Sequence, residues 1–190
     1  MRCFIAIDIE EQIREALADL QKEIMQTADV GRGEVKWVHS DSMHLTLKFL
    51  GEVSDQQLVE VCKTTKDVAG RHEGFEIDVG TVGCFGGRSA RVLWVGAGLE
   101  CEPLLRLQQD LESRLEEAGW PREARKFSAH LTLCRIKNAN AGLKMAEIVE
   151  QYEDFDAGVM SAQAVSIYES QLTPAGPIYT LLSTCELRQP

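Results

Sequence analysis

The chain lacks a hydrophobic run long enough to cross a bilayer, and it has no low-complexity segment, heptad series or recognisable linker. The apolar stretch that follows Arg2 is broken by Asp8, which leaves it too short for the hydrophobic part of a secretion signal. We therefore expect a cytoplasmic protein that has no membrane partner. A length of 190 residues fits one domain, residues 1–190, built from two closely joined lobes.

Paired cysteines are also missing, because none of the six forms a Cys-x-x-Cys motif. That spacing is typical of zinc and redox sites, so neither is predicted. An even number of cysteines allows disulfides, but a chain of this size with 44% hydrophobic residues does not need them. We expect free thiols that pack as small apolar side chains, with no metal and no cofactor.

Positive charge is scarce: 20 Lys and Arg stand against 30 Asp and Glu, which gives a net charge of −10. Binding along a nucleic acid requires many phosphates to be neutralised, so this balance argues against it. An RNA terminus needs fewer contacts. One local group of basic residues is predicted to be either a substrate groove or a solvated face; it comprises Arg122, Arg125, Lys126, Arg135 and Lys137.

Histidine occurs only four times, yet two of the four histidines begin the same tetrapeptide. The copies are His44-Leu45-Thr46-Leu47 and His130-Leu131-Thr132-Leu133. At ordinary residue frequencies such a match has a chance of roughly 0.002. The repeat therefore indicates either a duplicated structural strand or a duplicated chemical motif.

The alternation of polar and apolar residues in each copy predicts a half-buried β-strand. Side chains two residues apart share one face of a strand. His44 and Thr46 should thus face one way, and His130 and Thr132 likewise, while the leucines enter the core. A structural duplication would need only the leucines, so the repeated His-x-Thr favours chemistry.

Two imidazoles brought into one space form a balanced acid and base, because the unperturbed imidazole pKa is about 6.5. One ring can activate a water molecule while the other protonates a leaving group. The hydroxyls of Thr46 and Thr132 can bind the oxygens of a tetrahedral anion, for which phosphate is the natural candidate. A cyclic phosphodiester fits best, since its leaving oxygen stays tethered.

The remaining patterns predict about four helices and six to eight strands in an α+β fold. Helical spacing of apolar residues, a capping-box pattern at Ser54 and a proline at 103 mark three helices. The expected strands include 2–8, 75–84, 91–98, 164–170 and 179–187, and the last helix is expected at 143–151. We expect two lobes, each with a mainly antiparallel sheet and outer helices, around a central cleft that carries the two motifs.

With these motifs and their flanking segments, the chain resembles the 2H phosphoesterases, and among them the RNA 2′,3′-cyclic phosphodiesterases once called 2′-5′ RNA ligases. The segments that carry the resemblance are 2–8, 37–38, 44–51, 91–96, 127–135 and 168–172, together with Gly176 and Tyr179. It implies the same two-lobed fold and a metal-independent hydrolysis of RNA 2′,3′-cyclic phosphate ends to 2′-phosphates. It also leaves open a reversible 2′-5′ RNA ligation.

The resemblance further implies individual roles. His44 would be the general acid and His130 the general base, Thr46 and Thr132 would bind phosphate, and Arg135 would support the second motif. Strict alternation opposes the last assignment, because Arg135 has the opposite parity to His130. The same alternation predicts Lys48 and Cys134 on the site face and Phe49 in the core.

Two alternatives remain on this evidence. The substrate could be a small nucleotide, such as an ADP-ribose cyclic phosphate or a 2′,5′-linked oligoadenylate. The protein could also be a module that holds a nucleotide or an RNA end without turnover. No protein partner is implied by the sequence, and it does not define an oligomeric state.

Overall fold

The protein is described here by a computed structural model of residues 1–174 and 176–189. Over this part of the chain it contains nine β-strands and four α-helices. In chain order these are β1 (Arg2–Asp8), α1 (Glu11–Thr27), β2 (Val35–Trp37), β3 (His44–Glu52), α2 (Asp55–Ala69), β4 (Phe75–Phe85), β5 (Val92–Ala97), α3 (Glu102–Glu117), β6 (His130–Ile136), α4 (Ala139–Val149), β7 (Asp156–Ala162), β8 (Ala164–Thr173) and β9 (Gly176–Glu186).

The strands form two antiparallel sheets. One has the order β3-β1-β8-β9, and the other has the order β2-β6-β5-β4-β7. The first motif begins β3 and the second begins β6, and these two strands contact each other although they belong to different sheets. The predicted α+β class, with its antiparallel sheets and four helices, is confirmed.

The helices bury the apolar stripes that the sequence spacing predicts. On α3, Leu104, Leu107, Leu111 and Leu115 are fully buried, and each contributes about 1.5–3 kcal/mol by leaving water. Pro103 lies in the first turn of α3, and Gly119, just beyond the helix, has a φ of 103° that favours glycine. The capping box of α2 forms as predicted, because Ser54 and Gln57 each bond the other's backbone N–H.

Two expectations about the elements were wrong. The last helix begins at Ala139 rather than 143, since the Asn138 side chain accepts a hydrogen bond from the Ala141 N–H and caps it there. The short strand β2 and the glycine-containing β7 bring the strand total above the expected six to eight. Neither strand has the clean alternation that predicts a strand.

Both motif strands carry a β-bulge at the same residue of the motif. Ile5 pairs with Lys48 and Ala6 with Thr46, so Leu47 is an extra residue in β3. Leu93 pairs with Cys134 and Trp94 with Thr132, so Leu133 is the extra residue in β6. An extra residue shifts the alternation of every side chain beyond it to the opposite face.

The bulges overturn the three expectations that came from strict alternation. Lys48 and Cys134 are buried on the core side, at 5% and 0% exposure, whereas Phe49 is 67% exposed. The Lys48 ammonium donates to Glu112 at 2.8 Å and to the Pro121 carbonyl at 2.9 Å. Burial raises the pKa of the Cys134 thiol to about 12, so this thiol remains protonated.

The other cysteines follow the prediction in part. All six have free thiols; Cys3 and Cys185 are buried like Cys134, while the remaining three are half-buried. Among the residues with described positions, no helix combines the length and the apolar character needed to cross a membrane.

The buried ion pair between Lys48 and Glu112 yields a stability prediction. Lys48→Met should lower the free energy of unfolding by about 3–5 kcal/mol, because it leaves the Glu112 carboxylate buried without its cation. Replacing both residues by Met should recover part of this loss. Urea unfolding measures each value, with the exposed Lys63→Met as the control; a Lys48→Met protein as stable as this control would contradict the prediction.

Candidate active site

The two bulges turn Arg135 and Phe49 toward the faces that carry the motif histidines. In β6, His130, Thr132 and Arg135 are the more accessible positions, and Leu131, Leu133, Cys134 and Ile136 are buried. The burial pattern of β3 is the same over the corresponding residues, with Phe49 in the place of Arg135. The bulge therefore brings Arg135 to the same face as His130, which strict alternation had opposed. The prediction that Phe49 is a core residue was wrong.

Aromatic rings surround His44 on two sides. The Phe4 ring stacks on the imidazole with centroids 4.5 Å apart, and the Tyr179 ring meets it edge-on at 5.0 Å. Phe4 also contacts Phe49 at 6.2 Å and stacks with Tyr168 at 5.5 Å. His44 therefore belongs to a cluster of aromatic side chains on the strands of the first sheet.

His130 also lies among aromatic rings, but different ones. Phe85 meets its imidazole edge-on at 4.9 Å, and Trp94 lies at 6.3 Å. Trp94 packs across Gly83, where an added Cβ would come within 2.2 Å of the indole. The glycine at 83 therefore allows the indole to lie flat on the neighbouring strand and reach the second motif.

Both imidazoles are held by the same backbone bond. His44 Nδ1 lies 3.0 Å from the Ser42 carbonyl, and His130 Nδ1 lies 2.7 Å from the Ser128 carbonyl. A carbonyl oxygen can only accept, so each Nδ1 carries a proton and donates it. The Nε2 atom of each ring is left to accept a proton when the ring is neutral, or to donate one when it is charged.

A carboxylate faces the first histidine. Burial lowers the pKa of His44, while the Ser42 carbonyl and the charge of Asp8 act to raise it. Asp8 is the cross-strand partner of His44, and it accepts hydrogen bonds from Ser166 at 2.8 Å and Tyr168 at 2.6 Å. Burial and this bond raise the pKa of Tyr168 to about 12, so the phenol keeps its proton.

A cation faces the second histidine. Burial lowers the pKa of His130, the Ser128 carbonyl acts to raise it, and the charge of Arg135 lowers it further. The cross-strand partner of His130 is Gly96, which has no side chain in the position that Asp8 has beside His44. Burial raises the pKa of Tyr179, and the Arg135 guanidinium acts to lower it. The charge of Arg135 is therefore felt at a ring that packs edge-on against His44.

The threonines occupy matching positions. Thr46 pairs with Ala6 and Thr132 pairs with Trp94, and both side chains are half-buried on the faces of their histidines. The structure thus places the histidine and threonine of each motif on the shared face that alternation predicts.

The basic group predicted around the second motif is divided between two places. Arg122, Arg125 and Lys126 line a cavity of about 420 Å³ between α3 and the segment before β6. Arg122 also bonds the Glu116 carboxylate at 2.7 Å and the Ser113 hydroxyl, both on α3. Arg135 is the member of this group whose charge acts on a motif histidine, through the pKa of His130.

Sequence reasoning gave no site role to four side chains around the two histidines: Asp8, Phe4, Phe85 and Tyr179. Asp8 carried a detectable signal, because it is a carboxylate that ends an otherwise apolar strand. The aromatic residues carried none, since their places depend on strand pairing and on the bulges. Tyr179 belongs to the final strand, 135 residues after His44, and only the fold brings the two together.

Comparison with known proteins identifies the family of this chain. The family model described as "LigT like Phosphoesterase" matches residues 7–94 and 99–179, and each matched segment contains one copy of the tetrapeptide. The chain belongs to the LigT-like phosphoesterase family. Its relatives in this family include a protein of Archaeoglobus fulgidus named RNA 2′,3′-cyclic phosphodiesterase, which is 35% identical over 98% of this chain and 100% of the relative.

Two solved structures share the fold. The protein TT0787 of Thermus thermophilus superposes with a TM-score of 0.80 at 27% identity, covering 100% of this chain and 99% of that one. E. coli LigT in complex with 3′-AMP superposes with a TM-score of 0.76 at 28% identity, covering 99% and 98%. The resemblance seen in the sequence is confirmed at the level of family and fold.

The electrostatic asymmetry of the two histidines can be measured directly. By NMR titration both should have a pKa below the ordinary value of about 6.5, because burial disfavours the charged ring. Asp8→Asn should lower the pKa of His44 further and leave His130 unchanged, whereas Arg135→Gln should raise the pKa of His130. An equal response of both histidines to either variant would contradict the assignment.

Proposed function

We propose that this protein hydrolyses RNA 2′,3′-cyclic phosphate ends to 2′-phosphate ends without a metal ion, and that residues 1–190 act as one bilobal domain. The observation that carries the proposal is the contrast between two imidazoles held by the same backbone bond, one beside the carboxylate of Asp8 and the other beside the guanidinium of Arg135. The names of the family relatives support the same substrate. We further propose that the substrate is met in the cytoplasm, where free thiols persist.

His130 is the general base. Burial disfavours a positive charge on this ring and Arg135 disfavours it further, so near neutral pH the ring is neutral and its Nε2 can accept a proton. In the reaction Nε2 takes one proton from a water molecule, and the water oxygen forms the new bond to phosphorus. The hydrogen bond from Nδ1 to Ser128 stabilises the imidazolium that results.

His44 is the general acid. Burial lowers the pKa of this ring, and the Ser42 carbonyl and the charge of Asp8 oppose that shift by favouring the charged form, in which Nε2 carries the proton that the leaving oxygen takes. As the bond between phosphorus and the ribose O3′ breaks, O3′ takes this proton and becomes a hydroxyl, which leaves the phosphate on O2′. The enzyme resets when His130 loses its extra proton to solvent and His44 regains one.

Thr46, Thr132 and Arg135 hold the phosphate. The two hydroxyls donate to its non-bridging oxygens, and the guanidinium opposes the negative charge that builds up on them in the transition state. A planar guanidinium can donate two parallel bonds to such oxygens, which fixes their orientation as well as their charge.

Phe49 supplies a surface for the terminal base. Its ring is 67% exposed in a protein where most large apolar side chains are buried, and it lies next to Phe4, the ring that stacks on His44. Stacking of a base on an aromatic ring is worth about 1–3 kcal/mol and tolerates any base. This contact would favour nucleotide substrates over other cyclic phosphodiesters.

The same groups allow the ligation that the resemblance leaves open. If the 5′-hydroxyl of a second RNA replaced water, His130 would accept its proton and His44 would again protonate O3′, giving a 2′-5′ linkage. Water is present at a far higher concentration than RNA ends, so hydrolysis is the proposed main outcome.

The central experiment incubates the protein in EDTA with a short RNA that ends in a 2′,3′-cyclic phosphate. We expect a 2′-phosphate terminus, identified by its resistance to a phosphatase specific for 3′-phosphates and by mass. 2′,3′-Cyclic AMP is assayed in parallel, since a LigT relative was solved with the mononucleotide 3′-AMP. Turnover of the mononucleotide alone would favour the small-nucleotide alternative, and binding without turnover of either would favour the binding module.

The two motif histidines should be needed for turnover but not for folding. His44→Ala and His130→Ala should each lower kcat by about 10²–10⁴-fold, as is usual when a general acid or base is lost. The chain offers matched controls in its other two histidines. His39→Ala and His72→Ala should retain the wild-type rate, and near-full activity of either motif variant would disprove the mechanism.

The pH dependence should reflect the two charged neighbours. A plot of kcat/KM against pH should be bell-shaped, rising as His130 becomes neutral and falling as His44 loses its proton. Asp8→Asn should move the alkaline limb to lower pH, because it lowers the pKa of the acid. Arg135→Gln should move the acidic limb to higher pH, since it raises the pKa of the base; limbs that stay in place would contradict the assignment of roles.

A further inference from the structure

Two buried glutamines lie at corresponding places in the two halves of the chain. Gln21 is on α1, ahead of the first motif, and Gln108 is on α3, ahead of the second. Each is only 6% exposed, and each interrupts a stripe of buried apolar residues. A buried amide is retained at low cost only where its polar atoms find partners.

Gln21 finds its partners at the bulge of the second motif. Its Nε2 donates to the Leu133 carbonyl at 2.8 Å and to the Val38 carbonyl at 2.8 Å. Leu133 is the extra residue of β6, and its carbonyl also accepts the Val38 N–H at 2.9 Å. One side chain of the first half therefore holds the bulge of the second half against the end of β2.

Gln108 makes the reciprocal contact. Its Nε2 lies 3.4 Å from the carbonyl of Leu47, the extra residue of β3, and 3.4 Å from the Glu112 carboxylate. That carboxylate in turn accepts hydrogen bonds from the Lys48 ammonium and from the Glu123 backbone N–H. The hydrogen bond from Gln108 to the Leu47 carbonyl is long, but the ion pair between Glu112 and Lys48, the residue directly after the bulge, adds to it.

We propose that Gln21 and Gln108 are positioning residues, each holding the bulge in the other half's motif so that Arg135 and Phe49 respectively face the substrate. This proposal rests on the function proposed above. Its physical basis is that a bulged residue is left out of the pairing with one neighbouring strand, so the glutamine amide is a hydrogen-bond partner that stabilises the bulged conformation, at Leu133 in addition to the Val38 N–H. Without that partner the strand can return to regular pairing, and one residue of slip moves Arg135 or Phe49 to the core face.

The proposal predicts which variants are coupled. Gln21→Met removes the amide at nearly constant volume and should lower kcat/KM by about 10- to 100-fold, the usual effect of a reacting group displaced by about 1 Å. Its effect should largely vanish when Arg135 is already Ala, because Gln21 acts through that side chain. Gln108→Met should be coupled in the same way to Phe49→Ala, with a smaller loss that falls mainly on KM.

Double-mutant cycles measure this coupling, with the crossed pairs as internal controls. Gln21→Met with Phe49→Ala, and Gln108→Met with Arg135→Ala, should be additive. Gln12→Met is the matched control on α1, because Gln12 also donates to a backbone carbonyl, that of Val159, but is exposed. Additive effects in all four pairs would show that the glutamines stabilise the fold without positioning the site, and would overturn the proposal.

A second measurement needs no substrate. Gln21→Met should raise the pKa of His130 in an NMR titration, since the Arg135 charge moves away, while Gln108→Met should leave it unchanged. Should Gln21→Met not fold, Gln21→Asn, which keeps the amide but shortens its reach, takes its place. If the His130 titration is unchanged, the positioning role of Gln21 is overturned even in an active enzyme. If the pKa of His130 rises as expected but the protein has no turnover, the positioning role is upheld and only the proposed function is rejected.

Discussion

The site depends on a residue inserted at the same position of the motif in each of two strands. Leu47 and Leu133 are buried and lie outside the pairing with the neighbouring strand, and the insertion reverses the alternation after His-x-Thr. Before the bulge, the strand presents His and Thr to one face; after it, the strand presents the fifth residue beyond the histidine to the same face. A regular strand would instead place Lys48 and Cys134 beside the histidines and would bury Phe49 and Arg135.

The duplicated framework explains how two equal motifs come to have unequal chemistry. The backbone gives both imidazoles the same tautomer through a carbonyl two residues upstream. The difference comes from single neighbouring positions: Asp8 against Gly96 across the strand, and Phe49 against Arg135 after the bulge. One histidine thereby gains a negative neighbour and the other a positive one, which separates the tendencies of the two rings to hold a proton.

The sequence predicted the class of the fold and the strand that each motif begins because both depend on local patterns. The alternation of His-Leu-Thr-Leu, the leucine stripe of α3 and the capping box at Ser54 are each contained within a few neighbouring residues. It failed at Lys48, Phe49 and Cys134 because a bulge has no signature in a run of leucine and threonine. The sequence did not reveal the contacts of Tyr179 and Gln21 with the motifs, because these contacts join distant parts of the chain and arise only from packing.

The most direct test of the account replaces the leaving oxygen of the substrate by sulfur. A 2′,3′-cyclic phosphate with sulfur at the 3′ bridging position releases a thiolate, which needs no protonation because a thiol has a far lower pKa than a hydroxyl. The account predicts that His44→Ala will turn over this substrate at close to the wild-type rate, while His130→Ala stays slow. If His130→Ala were the variant that recovered, or if neither did, the division of the two histidines into acid and base would be wrong.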